Sequence, residues 1–429
     1  MMKHITLDYD QTCLVSAKRL SLINLQLSEE INHIIAATQQ LYDTHYASIN
    51  LPDDQDLIKT VQELAQEKLA LKPTMLIIIG IGGSNLGTAA IVQGLFGTLY
   101  NEILPIKIYF ADTVDTDYIH TLLQRAQQEL AVGNAILLNV ISKSGTTIET
   151  IANFQLFLEL LQEYHPNCYQ QYVVITTDQN SPLYRFAQHN AIKCLTVPEK
   201  VGGRYSVFSA VGLFPVALLS VDIEQLCAGA RSSLPLCTHK DYSLNPATTN
   251  AIIMHELYKK GFVIHNMFLF CPAAENMGKW YRQLMAESIG KLHDKQNNIV
   301  HNGILPIVSI GSTDLHSVAQ LYLSGPNNIC TTFISIETNV VHSKGIILQK
   351  NYAAIMNAIL EGTKIAYKKD NRPFVCVSIP EKNAYYLGQF MQIKMFEIIY
   401  LGFLMNVNPF DQPQVELYKK EMKNLLRSA

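Results

Sequence analysis

The chain has 429 residues, 48% of them hydrophobic and only 16% charged, with 33 Lys and Arg against 36 Asp and Glu for a net charge of −3. That length calls for two or three domains of ~100–200 residues, and the composition excludes a disordered or fibrous polypeptide. The slightly acidic balance argues against a nucleic-acid partner, because affinity for a phosphate backbone wants a basic excess; an anionic ligand must be held by a local site instead.

The first fifty residues read as helical, with apolar positions spaced by three and four around Leu22, Leu25, Ile31 and Ile34. The opening MMKHITLDYD lacks the apolar run of a signal peptide. Short apolar runs without alternation follow at Met75–Ile79, Lys107–Phe110, Ala135–Ile141, Tyr172–Thr176 and Ile192–Val197. Such runs suit strands buried on both faces, and helical-length segments lie between them. Tyr205–Val221 is the most apolar long stretch, but it carries Gly212 and Pro215 and is shorter than the ~20 residues that span a bilayer, so it reads as a buried helix rather than a membrane span. A second strand series runs through Val263–Cys271, Leu305–Ile310, Thr331–Ile336 and Phe374–Ile379, with helices expected around Trp280–Ile289, His316–Leu323 and Tyr352–Lys369. The tail, Tyr385–Met405 and then Val415–Leu426, is strongly helical. The expected fold class is therefore α/β: two parallel-rich sheets covered by helices, with helical N- and C-terminal extensions. The eight cysteines (Cys13, Cys168, Cys194, Cys227, Cys237, Cys271, Cys330 and Cys376) form no C-x-x-C pair and read as reduced thiols of a cytosolic protein.

Six segments carry chemistry. GIGGSNLG (Gly80–Gly87) follows the strand Met75–Ile79 directly. Its glycines allow a tight turn that exposes N–H groups to an anion, with Ser84 adding a hydroxyl. As a dinucleotide fingerprint it fails, because Asn85 stands at the third glycine position. SKSGTTIET (Ser142–Thr150) places four hydroxyls, Lys143 and Gly145 within six positions where a strand hands over to a helix. A cap needs one hydroxyl rather than four, so the segment reads as a cradle for a phosphate monoester. No Walker pattern precedes it. Gly145 reads as a flexible choice where a bulkier residue would also fit.

VGGRYSVFSAVGLFP (Val201–Pro215) sets Arg204 at the start of a very apolar segment, either as a structural ion pair or as a cation placed to meet developing negative charge. Glu287 lies near the end of WYRQLMAESIGK (Trp280–Lys291), as a candidate general base or an ordinary exposed helix glutamate. His316, in GSTDLHSVAQ, follows the strand Leu305–Ile310. NPFDQPQVELYKK offers Asp411, Gln412, Glu416 and Lys419 on a turn entering a helix, where Lys419 taken alone reads as a solvated lysine. No His/Cys/Asp cluster has the spacing of a metal site, so neither metal nor other cofactor is expected.

Taken together, these segments resemble the phosphoglucose isomerase family. VGGRYSVFSAVGL and GFLMNVNPFDQPQVELYKK are similar to its two signatures, and GIGGSNLG, SKSGTTIET, AESIGK and GSTDLHS stand in the family's order between residues 80 and 420. The resemblance implies two sugar-isomerase-type three-layer αβα sandwiches: an N-terminal helical segment 1–49 packed on the second domain, a first domain 50–225 and a second domain 226–429. It implies reversible isomerisation of glucose 6-phosphate and fructose 6-phosphate through an enediolate. It also implies a homodimer in the cytoplasm, in which His316 serves the neighbouring subunit's site. Ser142, Lys143, Ser144 and Thr147 would bind the substrate phosphate, and Gly83 and Ser84 would line the sugar side. Glu287 would move the proton, Arg204 would steady the enediolate, His316 and Lys419 would open the ring, and Gln412 would contact the substrate. A broader enzyme that also accepts mannose 6-phosphate is the alternative; a non-catalytic sugar-phosphate sensor is disfavoured because the acid–base residues are all present. One departure stands out: where the family usually has a glycine, this chain has Gln414 behind Pro413.

Overall fold

The computed structural model describes residues 4–10, 12–337 and 350–428, with the side chains of residues 427 and 428 left out. After a short strand β1 (Thr6–Asp8) and the helices Ala17–Gln26 and Ser28–Ala37, the first sheet is built from β2 (Pro73–Ile79), β3 (Lys107–Ala111), β4 (Ala135–Ile141), β5 (Val173–Thr177) and β6 (Lys193–Thr196). All five are parallel, in the order β3-β2-β4-β5-β6. β2 was legible as an unbroken apolar run, Met75–Ile79, because both of its faces are buried: Met75, Ile77 and Ile79 enter one core with Ile119, Leu122, Phe154 and Phe157, while Leu76 and Ile78 enter the opposite one.

The second sheet has the order β1-β12-β11-β7-β10, with β7 (Ile264–Leu269), β10 (Leu305–Ile310), β11 (Ile329–Ile336) and β12 (Phe374–Ile379) parallel and β1 antiparallel at the edge. Between β7 and β10 lie the helix Glu275–Ile289 and a two-stranded pair, β8 (Lys291–His293) and β9 (Ile299–Asn302). Phe268, Phe333 and Phe374 pack outward against Leu360 and Tyr367 of the helix Tyr352–Lys369. Met267, Leu269 and Ile334 face inward. That inward core also takes in Leu76 and Ile78 of the first sheet, so one continuous apolar mass joins the two sheets through the helices between them.

Those intervening helices are apolar nearly all round. In Ala384–Leu404 almost every residue is buried, including the ion pair Lys394–Glu397 at 2.7 Å. Ala210–Leu218 is likewise buried despite Pro215 in its interior, which agrees with the buried reading of that stretch. Among the described residues no helix is long and apolar enough to cross a membrane. All eight cysteines are unpaired.

Some local expectations need correction. β1 lies within a stretch read as helical; three residues are too few to show a period. Leu22 and Leu25 point to solvent, and the inward face of the first helix is made instead by Leu20, Ile23 and Asn24. The segment expected to be one helix from His316 to Leu323 is a 3₁₀ turn, Thr313–His316, followed by a short helix, Ala319–Ser324.

Candidate active site

In an open parallel sheet, ligands sit at the carboxyl ends of strands where the chain's winding reverses. Here β2 is followed by β3 on one side while β4 pairs on the other, so the crevice lies between β2 and β4. GIGGSNLG leaves the end of β2 and SKSGTTIET leaves the end of β4, which puts both motifs at that crevice. They border a cleft of about 720 Å³ together with Gly203, Arg204, Gln283, Glu287, Gln412 and Lys419.

On the first wall, Thr147 is the N-cap of the helix Ile148–Tyr164, but its side chain makes no capping bond. Its hydroxyl pairs with Ser142 Oγ at 3.0 Å instead. The first-turn N–H groups of that helix are thus left for an incoming anion. Ser144 accepts from Thr146 Oγ1 at 3.0 Å at the rim. Gly145 holds φ +63°, and a Cβ there would lie 2.9 Å from Leu183 Cβ and Ser181 Cβ. The expectation that a bulkier residue would fit is therefore wrong on both backbone and packing grounds. Lys143 lines the cleft, but its ammonium donates to the carbonyls of Glu199, at 2.5 Å, and Val201, at 3.0 Å. Burial lowers its pKa, opposed by Asp178 and Glu199. In this arrangement Lys143 ties the phosphate-type loop to the loop that carries Arg204.

That second loop approaches the first by backbone alone. A Cβ on Gly83 would fall 2.2 Å from the carbonyl carbon of Gly203 and 2.8 Å from the Arg204 nitrogen. Arg204 itself is 2% exposed and its five N–H donors meet five acceptors. Nε donates to Ser288 Oγ at 2.8 Å. Nη1 donates to Gln412 Oε1 at 2.5 Å and to Glu287 Oε2 at 3.4 Å. Nη2 donates to the carbonyls of Pro409, at 2.6 Å, and Asp411, at 2.9 Å. Arg204 thus makes an ion pair with Glu287 and also lies on the cleft lining. Tyr205 donates to the Pro409 carbonyl as well, and burial raises its phenol pKa.

Glu287 ends the helix Glu275–Ile289, its carboxylate toward the cleft, while Leu284, Met285 and Ile289 on the other side enter the core. Its Oε1 accepts from Gln283 Nε2 at 3.1 Å. Motif reading missed Gln283, yet it stands one turn before Glu287, where an i, i+4 pair shares a helix face. The loop Asp178–Pro182, which also lines the cleft, was missed because nothing in its composition sets it apart.

The Asn408–Gln412 turn presents Gln412 to Arg204, and the helix Val415–Ser428 then lays Lys419 on the cleft wall, paired with Glu416 at 2.8 Å. Gln414, in the usual glycine position, is not among the positive-φ residues, and its carbonyl accepts the Leu417 N–H as the helix begins. Two predicted residues do not line the cleft. Ser142 lies buried behind Thr147. His316 is exposed after β10, whereas the helix bearing Glu287 ends beside Gly303, just before β10 begins, so the length of that strand lies between them.

A family model described as phosphoglucose isomerase matches residues 60–429. A glucose-6-phosphate isomerase from Alkaliphilus metalliredigens is 35% identical over 395 residues, covering 87% of this chain and 84% of that protein. One from Fusobacterium nucleatum is 31% identical, covering 99% and 96%. Among solved structures, a hypothetical protein from Thermus thermophilus has a TM-score of 0.87 at 27% identity, over 98% of this chain and 99% of that one. A glucose-6-phosphate isomerase from Chlamydia trachomatis has a TM-score of 0.85 at 19% identity, over 99% and 89%, which shows a shared fold. The chain belongs to the phosphoglucose isomerase family.

Proposed function

We propose that this chain interconverts glucose 6-phosphate and fructose 6-phosphate, with Glu287 moving the proton between carbons 1 and 2. The observation that carries the reading is the convergence of Glu287 and Gln412 on one Arg204 nitrogen, in a cleft whose far wall is an uncapped helix N-terminus. The phosphate would rest on that N-terminus and on the hydroxyls of Ser144 and Thr147, with Ser142 holding Thr147 from behind and Lys143 bracing the loop. Gly83 and Ser84 would border the sugar.

A carboxylate takes the carbon-2 proton and charge develops on the carbonyl oxygen. Every Arg204 donor is already engaged, so that oxygen reaches the guanidinium by replacing Gln412 or Glu287 at Nη1. Gln412 is the neutral of the two and the one free to turn toward the substrate. Lys419 would assist ring opening. His316 would do so from a second copy of the chain, in a homodimer, which accounts for its distance from Glu287 within one chain. We further assign residues 1–49, 50–225 and 226–429 as N-terminal segment, first domain and second domain, and a cytoplasmic setting.

A coupled assay that follows glucose 6-phosphate formed from fructose 6-phosphate, with and without a chelator, tests the reading. Turnover in both conditions is expected; no turnover would refute it. The same assay on mannose 6-phosphate measures breadth, and equal rates on the two aldoses would contradict a strict preference.

A further inference from the structure

Lys291 touches both halves of this site without lining the cleft. Its Nζ donates to the Glu287 carbonyl at 2.9 Å, the Asp411 carbonyl at 2.5 Å and Asp411 Oδ1 at 2.9 Å. Three acceptors thus occupy the three donors of an ammonium whose side chain is only 6% exposed. The Glu287 carbonyl is among the last of its helix, where intrahelical partners run out and a cation is favoured. A cap, however, needs only one carbonyl. The other two acceptors belong to a residue 120 positions away, immediately before Gln412. Burying an ammonium is costly unless it is fully paired, so its retention here needs more than capping. Burial lowers the Lys291 pKa, and Asp411 opposes that shift.

We propose that Lys291 is a positioning residue for the isomerisation: it pins the turn carrying Gln412 to the helix end carrying Glu287, so that base and amide keep their spacing beside Arg204. The inference rests on Glu287 being the base. Arg204 grips the same turn through the Pro409 and Asp411 carbonyls, but it also faces the reacting atoms and must exchange partners during turnover. Lys291, outside the cleft, holds the turn throughout.

The test compares full-length Lys291→Met and Lys291→Arg with the unaltered chain. It measures kcat, KM, the primary isotope effect with carbon-2-deuterated glucose 6-phosphate, and binding of glucitol 6-phosphate, which lacks a carbonyl. Displacement of a catalytic group by ~1 Å costs on the order of a hundredfold in rate. Lys291→Met should therefore lower kcat about a hundredfold, raise the isotope effect as proton transfer slows, and leave glucitol 6-phosphate binding within roughly threefold. Lys291→Arg should restore most of the rate. An unchanged kcat, or a loss that follows the folded fraction with an unchanged isotope effect, overturns the proposal. Should Lys291→Met not fold, Asp411→Ala removes one of the three acceptors at a half-exposed side chain and should move kcat and the isotope effect in the same directions; no change there overturns the proposal equally. Activity in Glu287→Gln would instead remove the base reading itself, so the two failures are distinguishable.

Discussion

Two loops of the site meet by backbone alone at Gly83 and Gly203, and Gly83→Ala perturbs that point. The added Cβ would stand 2.2 Å from the Gly203 carbonyl carbon and 2.3 Å from its oxygen. Ordinary carbon contact needs about 3.5 Å, so the loops must part by roughly 1 Å. Neither partner is a flexible side-chain end; both are backbone, and the next residue is Arg204 with all five donors engaged. Overpacking of this kind costs ~1–3 kcal/mol of stability, and a 1 Å displacement of a catalytic group costs on the order of a hundredfold in rate. Gly83→Ala should therefore lose about 100-fold in kcat/KM in the fructose 6-phosphate assay while retaining its circular dichroism. Gly362→Ala is the matched control: nothing lies within 4 Å of its Cβ, and inside a helix the change should stabilise by ~0.5–1 kcal/mol with no effect on rate. A Gly83→Ala enzyme of ordinary activity would refute the view that the two loops fix Arg204 by direct backbone contact.

Gly145→Ala combines a left-handed backbone with contacts of 2.9 Å to Leu183 and Ser181, and should lower stability by ~1–3 kcal/mol in chemical denaturation. Lys143→Ala removes the ammonium's bonds to the Glu199 and Val201 carbonyls that brace the phosphate-type loop; at ~1.5–3 kcal/mol for such a bond, stability in chemical denaturation should fall by that order and KM for fructose 6-phosphate should rise, and an unchanged KM would point to the wrong loop. His265 is fully buried against Thr332, Tyr281 and Lys394, and burial lowers its pKa from 6.5 to about 3. Below pH 6.5 the unfolded chain takes up a proton that the folded chain refuses, so stability falls with falling pH at up to ~1.4 kcal/mol per unit down to about pH 3. His265→Gln should remove that slope in urea titrations at pH 6 and pH 4, although His255, lowered to about 4, adds a similar one.

The strands were the most legible part of the fold. β4, β10 and β12 begin and end where the mainly apolar runs do, each run carrying a single polar side chain inside it, Asn139, Ser309 and Ser378 respectively. β1, β8 and β9 escaped, being short and paired at edges where burial imposes little pattern. In the site, residues on glycine- or hydroxyl-rich turns were readable because their composition is unusual. Gln283 and the Asp178–Pro182 loop were not, since their place in the cleft is set by the packing of distant elements. Lys291 was read only as the last letter of a motif; its reach to Asp411 depends on the turn of a helix and the return of the chain 120 residues later. Likewise, nothing local in the sequence could place Glu287 and His316 at opposite ends of the second sheet.

The central claim is that Glu287 carries the proton between the two carbons. Glu287→Gln keeps the acceptor oxygen for Gln283 or Arg204 and the shape of the side chain but cannot take a proton. The decisive measurement is release of deuterium from carbon-2-labelled glucose 6-phosphate by this variant, alongside its binding of glucitol 6-phosphate. The account predicts binding close to that of the unaltered chain, with deuterium release and isomerisation reduced by at least about a thousandfold. Release at anything near the original rate would mean that another group moves the proton.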